Sequence, residues 1–480
     1  MSKYLKLFET TSQYNEYINS IDVVLPNVSV AKDAPTTVYF NPLHDYSKDY
    51  LTFVALEDGT FTFSMVQKLT TAAVPSMSYS TDNGKTWTTV QNIDNEAVTV
   101  TTPTITSGNK VLWKSNAVQY CINPDPYPGG NMAYGSFSST SAYNIEGNIM
   151  SLMYGDDFKG KTSFKTPISS GNQAGAFSNL FNNNSNIISV EHLVLPATTL
   201  ADKCYYYMFE YCTNLTTAPE LPATTLTTQC YYGMFKDCQS LTTAPELPAT
   251  TLANQCYYYM FTHCTSLTSA PVLPATTLAD SCYNGMFQYC TNLTTAPELP
   301  STTLANYCYS NMFYDCKSLT TAPVLPATTL TTQCYFAMFK GCTSLTTAPE
   351  LPATTLQSSC YNSMFQGCTS LTTAPELLPA TTLADSCYKY MFNGCTNLTT
   401  APVLPATTLA SECYASMFYG CTKLNYIKAM FTTTPSTSYT SNWVNGVAAT
   451  GTFVKNSAAT WNVTGIHGIP SGWTITTASA

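Results

Sequence analysis

A unit of 26 residues recurs nine times between Ala201 and Cys421, and this repetition restricts the chain to a stacked architecture. Each unit consists of Leu-Pro-Ala-Thr-Thr-Leu, three variable residues, Cys-Tyr, two variable residues, Met-Phe, two variable residues and Cys, then two residues before Leu-Thr-Thr-Ala-Pro. The step is 26 residues except for one of 27, where Leu377-Leu378 adds a residue. One unit has too few apolar side chains to offset the entropy lost on ordering it, so neighbouring units must stack. The sequence therefore predicts a solenoid.

The recurring apolar residues within a unit predict a short helix. Counted from the first cysteine they occupy offsets 0, 1, 4, 5 and 8, which are Cys204, Tyr205, Met208, Phe209 and Cys212 in the first unit. At about 100° per residue these offsets share one arc, and the variable offsets face solvent on the opposite arc. Prolines restrict the following segment to very short strands, because proline cannot donate to a strand ladder. The expected fold class is an α+β repeat solenoid, a leucine-rich-repeat-like array of nine 26-residue units.

Short β-rich segments with turn signals between them predict an all-β, sandwich-like N-terminal region ahead of the solenoid. Beyond the last repeat the consensus is lost, and Trp443, Trp461 and Trp473 are suited to covering the open end of the stack. The predicted boundaries are 1–45 for an N-terminal attachment segment, 46–115 for the β-sandwich-like region, 116–175 for a junction of unassigned role, 176–430 for the solenoid (176–200 as its N-terminal cap and 201–421 as the nine repeats) and 431–480 for a C-terminal cap.

The repeat core, Met-Phe-x-x-Cys-x-x-Leu-x-x-Ala with Leu-Pro before it, resembles the BspA-type bacterial leucine-rich repeat. The resemblance covers about residues 176–430, roughly half of the chain. This sequence differs from the family pattern in its longer unit, its first cysteine and its paired threonines. The resemblance implies adhesion to host or matrix surfaces without catalysis.

The N-terminal segment resembles virion and surface proteins of gut Bacteroidales and their phages. The motifs that carry this likeness are Phe8-Glu-Thr-Thr-Ser-Gln-Tyr, Leu25-Pro-Asn-Val-Ser and Val38-Tyr-Phe-Asn41. No apolar run of a Sec leader follows Met1, so either a leader has been removed or the protein leaves its cell by another route. Assembly into a phage particle inside the host cell suits the second alternative. The expected location is therefore a phage virion, as a tail or head fibre. The alternative is the surface of a bacterial cell.

The composition argues against nucleic acid and membrane as partners. Only 10% of residues are charged, the net charge is −9 and every basic residue is lysine, so phosphate recognition is not expected. No apolar run approaches the roughly 20 residues of a membrane helix, so membrane insertion is not expected. The expected partners are a host surface glycan or protein for the solenoid and other virion or surface proteins for the N-terminal region. A homo-oligomer such as a fibre trimer stays open, since no coiled-coil heptads are present.

Eighteen of the 19 cysteines occupy the two repeat positions, and we expect them to be buried and reduced. Two cysteines eight residues apart on a helix are separated by about 12 Å, which is too far for a disulfide, and paired zinc spacing is absent. A half-unit before the array has Ala176 and Asn184 at the cysteine positions, so these positions require a small buried group. The expected core residues include Cys204, Met208, Phe209, Cys212, Cys230, Cys238, Cys256 and Cys264.

No catalytic, metal or cofactor site is expected. The four histidines are far apart in sequence, and no phosphate loop, H-E-x-x-H or nucleophile elbow is present. A recurring glutamate position, such as Glu220 and Glu246, alternates irregularly with valine, which indicates tolerated surface rather than a paired acid and base. We therefore predict a non-enzymatic protein.

Two faces of the solenoid are candidates for binding. One displays a nearly constant threonine row beginning at Thr216 and Thr242, and the other displays the variable positions, where tyrosine is frequent. Tyrosine offers amphipathic contact at low entropic cost, although duplicated units also drift wherever solvent permits. The function hypotheses are a receptor-binding fibre protein or adhesin and, in another class, a passive structural spacer or decoration protein. The candidate ligand-binding residues are Tyr206, Tyr207, Tyr232, Tyr258, Tyr259, Phe336 and Tyr390.

Overall fold

The computed structural model describes residues 44–65, 76–91, 98–117, 120–122, 133–165 and 175–478. The chain divides into two units, Met1–Tyr46 and Ser47–Ala480. The predicted attachment segment, residues 1–45, lies outside the described residues apart from 44 and 45. All strands and α-helices of the described residues belong to the second unit.

The β-rich region contains ten strands and three short helical segments among the described residues. The strands are β1 (Leu51–Ala55), β2 (Phe61–Met65), β3 (Ser76–Ser80), β4 (Thr88–Gln91), β5 (Val98–Thr101), β6 (Lys110–Ser115), β7 (Cys121–Ile122), β8 (Ala133–Ser139), β9 (Tyr143–Asn148) and β10 (Ile187–Val194). The helical segments are α1 (Ser151–Tyr154) and two 3-10 turns, Tyr46–Lys48 and Gly155–Asp157. The strands form a six-stranded sheet, in the order β10-β9-β1-β6-β3-β4, and a four-stranded sheet, in the order β5-β2-β8-β7. Strand β10 runs parallel to β9, and the other neighbours are antiparallel.

Aromatic side chains from both sheets form the core of this region. Alternation along β1 turns Phe53 inward, where its ring lies 4.9 Å from that of Phe137 on β8. Phe137 stacks in turn on Phe181 at 5.6 Å, and Phe181 stacks on Phe209 of the first repeat at 5.3 Å. The core of the β-rich region therefore continues without a break into the repeats. The sandwich arrangement itself stays a prediction.

The predicted helix of each repeat is wrong, because the cysteine-containing segment is a run of tight turns. We number the repeats 1 to 9 by their first cysteines, Cys204 to Cys413. Amides at even offsets close local turns, as Met208 N does to Tyr205 O at 3.2 Å. Amides at odd offsets donate to the next repeat instead, as Phe209 N does to Met234 O at 2.9 Å. Half of the donors thus cross-link neighbouring repeats rather than completing a helix.

Left-handed residues at every fourth position create these turns. In repeat 1 they are Lys203, Tyr207 and Tyr211, with φ of 55°, 51° and 59°. A right-handed helix cannot include such residues without losing its hydrogen-bond ladder. Offsets 0, 1, 4, 5 and 8 repeat every four residues. The apolar pattern that predicted a helix is therefore equally consistent with a chain that turns once every four residues.

Between the turn segments the chain is extended and pairs only locally. Isolated parallel bridges join Thr225 to Thr251 and Thr295 to Thr321 in successive repeats. Prolines on both sides remove ladder donors, which agrees with the prediction of very short strands. Inside the stack, side chains of one type form columns: the rings of Tyr205 and Tyr231, and of Phe209 and Phe235, each lie 5.7 Å apart.

The repeat path continues once beyond the last consensus unit. Asn442 and Gly446 carry the left-handed φ values of 52° and 79°, and Phe418 N donates to Trp443 O at 2.8 Å. Trp443 is fully buried and occupies the place of a repeat methionine. The other elements here are α2 (Thr437–Thr440) and a parallel sheet of β11 (Tyr426–Ala429), β12 (Thr452–Lys455) and β13 (Thr474–Thr477). No helix in the described ranges is both long and apolar enough to span a bilayer.

The two cysteine columns are buried and free of disulfides at all 18 repeat positions. The second column has a specific partner: Cys238 Sγ donates to Phe209 O of the preceding repeat at 3.1 Å, and Cys264 Sγ does the same to Phe235 O at 3.1 Å. Before repeat 1, Asn184 Nδ2 donates to Phe137 O at 2.9 Å in the equivalent way. This position therefore requires a small hydrogen-bond donor, which is more specific than the small buried group that the sequence indicated.

We expect the repeat thiols to be unreactive in the folded protein. Burial raises the pKa of Cys212 and of Cys256 to about 12, and only the thiolate attacks disulfide reagents. Titration with Ellman's reagent should detect the repeat thiols only after unfolding in guanidinium. Rapid reaction of several repeat thiols in the native protein would contradict the buried columns, as would disulfides found by mass spectrometry of the native protein.

Candidate functional site

Five tyrosines from repeats 1 to 3 meet in one aromatic cluster. They stand two and three residues after the first cysteines, at positions that vary among the repeats. The rings of Tyr206, Tyr232 and Tyr258 stack in a column, with centroids 4.8 Å apart at both steps. The tyrosine cluster consists of Tyr206, Tyr207, Tyr232, Tyr258 and Tyr259.

Two rings of the tyrosine cluster are turned relative to this column. Tyr207 lies at 71° to Tyr206 and at 85° to Tyr232, and Tyr259 lies at 72° to Tyr258. Each of the two reaches over a glycine of the next repeat: a Cβ added at Gly233 would come within 2.2 Å of the Tyr207 ring. A Cβ at Gly285 would come within 2.3 Å of Tyr259. Tyrosine and glycine therefore alternate at this position because the ring needs the space that the next side chain would fill.

The tyrosine cluster is less exposed than the sequence predicted. Tyr206 is only 4% exposed, and the other four side chains are half-buried. The predicted solvent-facing arc is wrong at these positions, since no helix forms and the side chains of successive repeats cover one another. Burial raises the pKa of Tyr207 and of Tyr258 well above the usual range, so both phenols are neutral hydrogen-bonding groups at physiological pH.

Next to the tyrosine cluster lies a group of polar side chains that was not predicted from the sequence. Lys236 Nζ bonds to Glu210 Oε1 at 2.6 Å and lies 5.4 Å from the ring centroid of Tyr207. Asn182 Nδ2 donates to the same carboxylate at 2.9 Å. Burial raises the pKa of Glu210 above its ordinary value even though Lys236 opposes the shift. Lysine and glutamate thus neutralise each other beside the rings.

The next layer extends this polar group. His263 stacks on Tyr289 with ring centroids 4.4 Å apart, and its Nδ1 lies 3.2 Å from Asp237 Oδ1. His263 and Asp237 occupy the same position in successive repeats, seven residues after the first cysteine. Aligning the variable positions in columns would have placed these side chains together, because stacking brings equal offsets side by side.

The structure separates the last two predicted ligand residues from the tyrosine cluster. Phe336 and Tyr390 also stand two and three residues after a first cysteine, as the cluster tyrosines do, but they belong to repeats 6 and 8. Within the described residues no aromatic ring packs against Tyr390, whose ring instead has Lys389 Nζ at 5.4 Å. The predicted residues therefore form one compact group and two separate positions rather than a continuous row.

The threonine face is exposed and nearly uniform. The first threonine of the Leu-Thr-Thr segment can use its hydroxyl to link neighbouring repeats, as where Thr294 Oγ1 donates to Thr268 O at 3.1 Å. At its proline-rich edge lies a shallow depression of about 270 Å³, lined by residues that include Pro297, Glu298 and Val324. In the part of the chain that the structure describes, no group of three or more His, Cys, Asp or Glu side chains is placed to hold a metal ion.

Comparison with known proteins assigns the repeats to a family. The family described as the BspA type leucine rich repeat region matches in six copies, at residues 202–346 and 306–442, which together span half of the chain. No curated protein matches the chain. A crystal structure of a leucine-rich repeat protein from Bacteroides ovatus ATCC 8483 is similar at 13% identity, with a TM-score of 0.26, over 75% of this chain and 99% of that chain.

A second solved structure, the TLR13–ssRNA13 complex, is similar at 16% identity, with a TM-score of 0.24, over 64% of this chain and 40% of that chain. Similarity at this level carries no argument about function for either structure. The family match, by contrast, covers the same repeats whose turns, columns and cysteine contacts are described above. The chain is a member of the BspA-type leucine-rich repeat family.

Proposed function

We propose that this protein is a non-catalytic adhesin, displayed on a bacterial cell surface, whose stacked repeats present a binding site. The observation that carries the proposal is the tyrosine cluster, in which five aromatic side chains converge at positions that differ among the repeats. Variable positions on a rigid stack of conserved positions are where a repeat protein can acquire specificity without disturbing its core.

Two further features support this proposal. The repeats are held by backbone bonds between neighbours and by buried columns, so the surface is preorganised and little ordering is needed on binding. The surface also carries few charges, with threonine on one face and tyrosine on the other. Such a surface suits contact with uncharged partners rather than electrostatic capture.

The bacterial version of the proposal is preferred over the phage version. Family membership rests on the repeats, whereas the likeness to virion proteins rests on residues 1–45, which lie almost wholly outside the described residues. Antibody raised against the repeats should therefore label intact cells of the producing bacterium. Labelling of purified phage particles, with no labelling of cells, would show that the protein belongs to the virion instead.

The adhesive function can be tested with beads coated with the full-length chain. We expect them to attach to epithelial cell layers well above the level of albumin-coated beads, and soluble full-length chain should compete. Attachment no better than that of albumin-coated beads on epithelial, mucin-coated and bacterial surfaces would favour a passive spacer and overturn the proposal.

A further inference from the structure

We infer that the tyrosine cluster and its polar neighbours bind an extended, neutral polysaccharide lying along repeats 1 to 4. The inference rests on the proposed adhesive function and names the ligand class of the same site. It depends on the orientation of the rings, on the charge balance around them and on an unpartnered polar atom at one end of the column.

Ring orientation selects which tyrosines can contact a ligand by their faces. The rings of Tyr206, Tyr232 and Tyr258 lie across the stack and cover one another, with interplanar angles of 26° and 8°. These three tyrosines can therefore contact a ligand only through their ring edges and hydroxyl groups. The rings of Tyr207 and Tyr259 lie along the stack, so they are parallel to any ligand that runs in that direction.

The spacing of the two turned rings suits a repeating chain. Tyr207 and Tyr259 are two repeats apart, and two steps of 4.8 Å in the neighbouring column put them at roughly 10 Å. Two residues of an extended β-linked polysaccharide span a similar length. Each sugar ring has an apolar C–H face that can lie on an aromatic ring and a hydroxyl edge that can bond to polar groups.

The charges around Lys236 favour a neutral ligand over an anionic one. Lys236 is bonded to Glu210, and Asp237 lies 3.7 Å from the same ammonium group. With the two carboxylates beside it, this lysine has no surplus charge for a sulfate or a phosphate. The neutral phenols of Tyr207 and Tyr258 complete a surface of hydroxyl, amide and paired charge.

An unpartnered polar atom lies where the aromatic column ends. Asn284 follows Tyr258 in the column and is 6% exposed, and its Oδ1 lacks a hydrogen-bond partner within the described residues. A buried acceptor without a donor destabilises the protein unless something else supplies the bond. This Oδ1 atom is covered in the unbound protein, so ligand binding must uncover it. A sugar hydroxyl beside Tyr259 is then a donor of the right size.

A polysaccharide is favoured over a protein partner by the shape of the site. Protein interfaces depend on anchor side chains inserted into well-packed apolar pockets. The depression lined by Pro297, Glu298 and Val324 includes no residue of the tyrosine cluster. The half-buried rings and the hydroxyl groups of the tyrosine cluster suit many modest contacts with a linear sugar chain.

Affinity electrophoresis of the full-length chain tests the inference directly. The gels would contain hydroxyethyl cellulose, xylan or galactomannan as neutral extended probes, with heparin and polygalacturonate as anionic ones. We expect retardation by at least one neutral probe. The double variant Tyr207→Gly/Tyr259→Gly should weaken binding roughly tenfold, since two ring contacts are lost.

The chain supplies matched controls for this experiment. Gly233 and Gly285 already occupy the substituted position in other repeats, so glycine there suits the left-handed backbone. Tyr390→Gly makes the same change in repeat 8 and should leave retardation unaltered. Asn284→Ala should weaken binding while leaving the melting temperature unchanged or higher.

Several results would overturn the inference. They are retardation by none of the neutral probes, retardation only by the anionic ones, or equal binding by the double glycine variant. Bead attachment that survives complete enzymatic removal of surface glycans would assign the ligand to protein and leave the adhesive function standing. Loss of attachment to every surface would instead overturn the proposed function.

Discussion

Replacing Phe287 by alanine is expected to lower the free energy of unfolding by about 3–5 kcal/mol. Phe287 is fully buried in repeat 4 and stacks between Phe261 at 5.7 Å and Phe313 at 5.8 Å. Each repeat contacts only its neighbours, so a defect in the middle weakens the coupling between both halves. Guanidinium unfolding followed by circular dichroism should show an earlier transition that is broadened or split in two.

The matched control for this variant is Val324→Ala. Val324 is 77% exposed, and its truncation should change the free energy of unfolding by less than about 0.5 kcal/mol. A loss below about 1 kcal/mol for Phe287→Ala, with a single sharp transition, would mean that the phenylalanine column does not join the repeats.

Replacing Trp443 by alanine is expected to release the C-terminal end of the stack. Trp443 packs against Phe418 of repeat 9 at 6.1 Å and against Phe431 at 5.8 Å, and its Nε1 donates to Gly468 O at 2.8 Å. Removal leaves a large cavity and an unpaired carbonyl, together about 3–5 kcal/mol of lost stability. Limited chymotrypsin digestion with mass spectrometry should show cleavage at aromatic residues beyond Cys421 after much shorter digestion times than in the wild type.

Tyr419→Ala provides the comparison, because Tyr419 is an aromatic residue of repeat 9 that is 44% exposed. Its digestion pattern should match that of the wild type apart from the missing cleavage site. Equal resistance of Trp443→Ala and wild type would show that the terminal coil is held by other contacts.

The helix prediction failed for a reason that is visible in the sequence afterwards. Apolar offsets of 0, 1, 4, 5 and 8 fit a helix of 3.6 residues per turn and a turn path of four residues equally well over nine residues. The distinguishing signal is glycine or asparagine at offsets 3 and 7, as at Gly233, Asn311 and Gly367. These residues disfavour a helix interior and favour left-handed φ.

The cysteine prediction was incomplete in a different way. Burial followed from the repeat pattern and from the replacement of cysteine by Asn184 before the array. The bond from Cys238 Sγ to Phe209 O could not be predicted, because the local turn path decides which carbonyl of the preceding repeat faces the thiol. Asparagine at this position is explained only once its amide is seen to donate to Phe137 O.

The candidate site was predicted by residue type and assembled by stacking. The sequence identified the tyrosines as variable and aromatic, yet it placed them on an exposed arc. Contacts between repeats decide that Tyr206 is buried in the column and that Tyr207 turns to lie along the stack. They also bring Lys236 to Glu210, two residues that are 26 apart in the chain.

The sequence alone determined that this protein is a stack. A strict 26-residue period of apolar side chains cannot bury itself within one unit, so neighbours must cover each other whatever local path the chain takes. The path itself depends on contacts between repeats, because each backbone amide can bond within its own turn or to the next repeat. The spacing of the apolar residues does not tell which of these two bonds an amide makes. The left-handed residues select the turn path only when neighbouring repeats are in register and can accept the remaining bonds.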